Sequence, residues 1–178
     1  MVGAEAGDQG GESDIVKPRK IEPNMSFVVR LKPETFKNNN NVTGVIYLEL
    51  NGNCFPDNLW FDFPVIILGW WLENLRPVIQ GRSIGVKCYF MDGPVRFEVT
   101  AQTATAWHIQ FIKDELEGLR NMGSGSVSPK DMINAILDAA RIAIDLSIEN
   151  NWRSRDLEML ESEYSLYVND PVLKKYHQ

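Results

Sequence analysis

The sequence predicts an α+β fold: an antiparallel sheet of about five strands, with a tryptophan-rich helix and C-terminal helices packed on one face. Three observations carry this expectation. Residues 57–80, DNLWFDFPVIILGWWLENLRPVIQ, are apolar around most of a helical circumference, so a helix there has to be buried on most sides. The segments flanking it alternate apolar and polar residues with the period of two that marks half-buried strands. Two strongly helical patterns then close the chain, and strands followed by helices favour α+β over an alternating α/β order.

A chain of 178 residues suits one domain, and a hydrophobic content of 44% is enough for a sizeable core. Residues 1–23 are rich in Gly, Glu and Asp and read as a mobile tail, leaving 24–178 as the domain. KPRK at 17–20 is a short basic cluster that a solvated tail explains. The net charge of −6 argues against a nucleic-acid binder, whose footprint is a basic patch, and is compatible with a basic protein partner, though a mildly acidic soluble protein explains it with less. Two cysteines, Cys54 and Cys88, make neither a disulfide framework nor a zinc site. The N-terminus has no apolar h-region, and no apolar run reaches the roughly 18 residues of a membrane span. A cytoplasmic protein without membrane contact is expected.

Residues 25–32 alternate as a first strand, with Phe27, Val29 and Leu31 on one face. KNNNN at 37–41 reads as a polar loop. Residues 43–50 form a second strand, with Ile46, Leu48 and Leu50 facing one way and Val45, Tyr47 and Glu49 the other. Asn51-Gly52 signals a hairpin turn, since both residues accept positive φ, and Cys54-Phe55 a short return strand. In the tryptophan helix Pro64 falls in the first turn, where its missing N–H costs little. Asp62, Gly69, Glu73, Arg76 and Gln80 form its polar stripe. Pro77 should kink or end it, and Gly81 closes it. Strands at 83–91, 95–100 and 103–113 form a meander, turning at Asp92-Gly93, with Val86, Cys88, Phe90, Val95, Phe97, Val99, Trp107, Ile109 and Phe111 inward. Residues 114–127, containing GSGS, read as a flexible connection with a helical turn at 115–120.

Ser128-Pro129 then starts a helix as N-cap and first helical residue. Its apolar face is Met132, Ile133, Ile136, Leu137, Ala140 and Ile144. Ala135, Ala139 and Ala143 add a row of small residues that lets another backbone come close. Asn150-Asn151 breaks it. Ser154 caps a last helix over 155–168, buried along Leu157, Leu160, Tyr164 and Tyr167, with Asp156, Glu158, Glu161 and Glu163 as a solvated acidic face.

No zinc spacing, Walker loop or GxSxG occurs. His108 sits among polar neighbours without a partner acid or nucleophile, and His177 lies next to the C-terminus. Cys88 alternates onto the core face and reads as a small hydrophobe. No catalytic residue, metal ligand or cofactor is therefore assigned. One surface stands out. The outer sheet face should carry Tyr47, Glu49, Lys87, Tyr89, Arg96, Glu98, His108 and Gln110, and Tyr, Arg and His on a broad regular surface suit a protein interface. A solvated sheet face is the plain alternative.

Asn51-Gly52, Phe55-Pro56, WFDF at 60–63, WWLE at 70–73 and MDGP at 91–94 together resemble a pattern found in small uncharacterised bacterial proteins. Some of these resemble immunity proteins of bacterial toxin systems. The likeness covers about residues 43–99 and transfers no catalytic residue. The lack of a catalytic constellation, the net acidity and the candidate sheet surface lead to the expectation of a non-enzymatic protein that binds another protein, and the resemblance adds a toxin as a candidate partner. Two further readings stand beside it. One is a small-molecule binder or enzyme with a pocket between helix and sheet that uses Tyr89, Arg96 and His108. The other is a module that self-associates through the alanine row.

Overall fold

A computed structural model describes residues 26–176; the expected tail at 1–23, and His177, lie outside them. The α+β class with antiparallel sheets is that of the structure, but the strands form two sheets of four rather than one of about five. The first contains β1 (Phe27–Asn39), β2 (Asn41–Leu50) and β3 (Asn53–Phe55) in that order, with β4 (Phe61–Asp62) also paired to β2. The second is a meander of β5 (Gly85–Tyr89), β6 (Val95–Ala101), β7 (Trp107–Glu115) and β8 (Gly118–Val127). Helices α1 (Pro64–Ile79), α2 (Pro129–Glu149) and α3 (Arg155–Asn169) complete the fold, with a final 3-10 turn at Lys174–Tyr176.

Helix α1 touches both β2 and β5, so it bridges the two sheets. Trp71, Leu68, Leu72 and Leu75 are fully buried, as the pattern predicts. The Trp71 ring meets Phe90 and Phe97 edge-on, each at 5.1 Å, and its Nε1 donates to the Tyr89 carbonyl at 2.8 Å. Pro64 occupies the first turn, and Gly81 closes the helix with φ 68°. Pro77 does not end it: two more residues follow, and the Pro77 carbonyl accepts the Arg82 amide at 2.8 Å. Trp70, expected inside, is 36% exposed.

The stripe expected to face water mostly does not. Asp62 is 1% exposed and precedes the helix. Gly69 faces α3, where a Cβ would lie 2.7 Å from the Met159 methyl. Arg76 donates to Glu163 of α3 at 3.1 Å, and Tyr167 donates from the same helix to the Leu72 carbonyl at 2.7 Å. Glu163, read as solvated, is buried for this reason. A helix sandwiched between sheet and helix has little circumference left for solvent.

Two segments read as loops are strands. The asparagine run extends the β1–β2 ladder to Asn39↔Asn41, turning at Asn40 with φ 75°. Residues 114–127 are the end of β7, a tight turn and all of β8, with no helical turn. The GSGS stretch alternates: Gly123 and Gly125 oppose the inward Phe111 and Ile109, while Ser124 and Ser126 face outward. A Cβ at Gly125 would lie 2.8 Å from Cδ2 of Leu50, which reaches across from β2. Glycine stands there because the first sheet leaves no room. Conversely, β7 begins at Trp107, because 103–106 close a turn in which Thr103 Oγ1 accepts the Ala106 amide at 3.0 Å.

The starts and caps of the two C-terminal helices match expectation. Ser128 accepts the Asp131 amide and Ser154 the Leu157 amide, both at 3.1 Å. Asn151, at φ 56°, separates them. Ala139 and Ala143 are buried within the chain, so most of the alanine row is already covered. One hydrophobic cluster joins both sheets and all three helices. No described helix is long and apolar enough to cross a membrane.

Candidate functional site

The registers of β5 to β8 define two faces of the second sheet. Inward rows are Val86, Val99, Ile109, Gly125 and Cys88, Phe97, Phe111, Gly123. Cys88 is fully buried, and burial pushes its thiol pKa well up, which suits a core residue and not a nucleophile. Outward lie three rows of four: Gly85, Thr100, His108, Ser126; then Lys87, Glu98, Gln110, Ser124; then Tyr89, Arg96, Ile112, Asn121. With strands about 4.8 Å apart and same-face residues about 6.8 Å apart, the array measures roughly 14 Å each way.

Six of the eight residues expected on one surface are in this array: Lys87, Tyr89, Arg96, Glu98, His108 and Gln110. Tyr47 and Glu49 are not. They belong to β2 of the first sheet, where Tyr47 opposes Arg30 and Glu49 accepts from Arg30 Nε at 3.0 Å. The single-sheet expectation merged two surfaces. Sequence reasoning also missed Asp114, placed in a supposed linker, and the β8 residues that complete the rows.

Arg96 anchors the array. Its Nε donates to Glu98 Oε1 at 2.7 Å, its Nη1 donates to Asp114 Oδ1, and its guanidinium lies 5.7 Å from the Tyr89 ring centre. The side chain is 4% exposed, against 26% for Glu98 and 46% for Asp114. Arg96 was expected at the surface; its neighbours instead roof it over. Burial works against its charge, but the hydrogen bonds to Asp114 and Glu98 outweigh that, and its pKa is raised. The cation thus lies beneath, and its two carboxylates reach solvent. Lys87 flanks them, 3.8 Å from Glu98 and largely exposed. This cluster holds Tyr89 and the carboxylates in fixed positions, so their ordering cost precedes any docking.

Beyond the array the β7–β8 hairpin projects past β6, whose pairing with β7 ends at Val95↔Lys113. Leu116 at its tip is fully exposed, Leu119 is 68% exposed on the array's face, and Met122 is 44% exposed. A pocket between α1 and the sheet cannot be built from Tyr89, Arg96 and His108, because all three side chains project from the face opposite Cys88, Phe97 and Ile109. In comparisons with known proteins, no family model matches the chain, and no curated protein or solved structure matches it.

Proposed function

We propose that this chain is a non-enzymatic protein-binding protein of bacterial origin that docks a basic protein on the outer face of its second sheet, and that the partner is a toxin it neutralises. The observation that carries the reading is the ordered outer array, in which a buried arginine holds two carboxylates toward solvent beside a half-exposed tyrosine. Tyrosine is among the residues enriched at interfaces, and outward carboxylates complement a basic surface. A standard interface covers about 800 Å² on each partner, while the array spans roughly 200 Å² by strand spacing. The footprint therefore extends onto the hairpin, whose Leu116, Leu119 and Met122 supply the apolar share.

The test uses Tyr89→Ala/Leu119→Lys, two exposed positions outside the Arg96–carboxylate bonds. Wild type, used as bait, should retain a protein encoded beside its own gene whose expression alone arrests growth. Co-expression with wild type should restore growth, and co-expression with the double variant should not, at unchanged urea midpoint. Equal protection by both forms would remove this face from the mechanism.

A further inference from the structure

The two edges of the second sheet differ. The order β5-β6-β7-β8 leaves one side of β5 and one side of β8 without a neighbouring strand. In an antiparallel ladder alternate residues turn N–H and C=O toward one neighbour, and the residues between turn theirs the other way. On β5 the Ile84 carbonyl accepts the Ala101 amide and the Phe90 amide donates to the Val95 carbonyl, so Gly85, Lys87 and Tyr89 face the open side. That side is closed. Ser83 Oγ donates to the Gly85 carbonyl at 2.7 Å and accepts the Gly85 amide at 3.3 Å, and Trp71 Nε1 donates to the Tyr89 carbonyl at 2.8 Å. Lys87 stands between them, and a lysine on an edge deters strand addition.

Strand β8 has no such closure. Asp114 donates to the Pro94 carbonyl and Gln102 to the Ala106 carbonyl, which turns the even-numbered residues of β7 toward β6, and Trp107, Ile109 and Phe111 toward β8. Their partners there are Val127, Gly125 and Gly123. Ser124 and Ser126 therefore direct N–H and C=O away from the sheet, where these groups meet no hydrogen-bonding partner among the described residues. Residues 121–127, NMGSGSV, carry neither charge nor proline. The irregularity at Met122, which has no opposite residue, confines the open stretch to residues 123–127.

We propose that this edge pairs with the same edge of a second copy of the chain, antiparallel about a two-fold axis at Gly125. An interface of this symmetry has to be its own complement, and β8 is. Ser124 of each copy stands opposite Ser126 of the other, and the free N–H and C=O groups of both residues bond across the axis. No like charges meet, as they would if two β5 edges brought Lys87 against Lys87. The two sheets join into one, and because directly opposite residues share a face, the two outer arrays lie side by side. The paired stretch is only about 17 Å long at about 3.4 Å per residue, well short of a standard interface, so the dimer is weak. Each copy carries a net charge of −6, and salt, which screens that repulsion, strengthens the pairing. The inference does not rest on the partner-binding reading.

Sedimentation equilibrium of the full chain tests this. Wild type should be monomeric near about 5 µM and move toward dimer by about 500 µM, further in about 0.5 M salt than in about 0.1 M. Ser124→Pro deletes an edge-facing N–H in each copy and leaves the β7 ladder intact, as proline on an edge strand can. Its association should be about tenfold weaker, with a urea titration showing it folded. Amide exchange of wild type needs no variant: the Ser124 and Ser126 amides should exchange more slowly as concentration rises. A monomer at every concentration would overturn the proposal. So would a dimer that folded Ser124→Pro leaves unchanged, which would turn attention to the alanine row of α2. Protection of both amides in dilute and concentrated protein alike would put another segment of the same chain on the edge and overturn it too.

Discussion

Asp62 shows how much one side chain can hold. Its carboxylate accepts the Trp60 indole N–H at 3.0 Å and the amides of Phe63, Met91 and Asp92 at 2.8, 3.1 and 3.1 Å. It thereby ties β4, the start of α1 and the β5–β6 turn together across both sheets. Asp62→Ala strands four part-buried donors and should destabilise by about 2–4 kcal/mol, since an orphaned buried group costs roughly 1–3 kcal/mol and water can reach some of these. Asp62→Asn, which keeps one acceptor oxygen, should lose less. Trp71→Ala removes a fully buried ring and should also cost about 3–5 kcal/mol, transfer energy plus cavity. Glu73→Ala, exposed two residues on, should change stability by less than about 0.5 kcal/mol. Urea titrations rank all four variants. A Trp71→Ala midpoint equal to wild type would contradict the core assignment.

Among the elements, β8 and the α1–α3 pair carry the clearest consequences. If GSGS is a strand with its glycines inward, Gly125→Val must push on Leu50 and should cost about 1–3 kcal/mol as overpacking. Ser124→Val, one residue earlier and outward, should stay within about 0.5 kcal/mol. A true linker would make the two equal in a denaturant titration. Between α1 and α3, Glu163 has one oxygen on Arg76 and the other buried without a partner among the described residues. Burial raises its pKa above the ordinary 4.5, Glu73 pushes the same way, and Arg76 opposes. The folded state then favours the protonated acid. Its contribution is full below about pH 4.5 and is lost as pH rises through the raised folded value. Glu163→Gln should flatten that decline, seen as a wild-type-minus-variant stability difference that shrinks with rising pH.

For the molecule as a whole, the packing of both sheets around α1 separates the two thiols. Cys54 is exposed and Cys88 fully buried. An aromatic disulfide reagent should titrate one thiol in the native protein and two after unfolding in urea. Two native equivalents at a fast rate would mean that the inner face of the second sheet opens readily. The same packing decides which faces stay open to solvent. The inner faces are consumed by one continuous core, and the second sheet's outer array is one regular surface left over.

Periodicity determined the inward rows of β5 to β7 and, Trp70 apart, the buried arc of α1, and residue chemistry determined the caps at Ser128 and Ser154 and the turns at Asn51-Gly52 and Gly81. Each depends on neighbours within a few residues, and local chemistry selects it. Tertiary structure decided the rest. Whether strands join one sheet or two depends on pairings between distant segments, which is why Tyr47 and Glu49 parted from Arg96. Whether GSGS is linker or strand depends on Leu50 filling the space above it. Whether Asp62, Glu163 and Arg96 face water depends on donors and acceptors supplied from elsewhere in the chain: the Met91 and Asp92 amides, Arg76 and Asp114. A charged residue reads as exposed until a partner pays for its burial, and those partners lie 18 to 87 residues away.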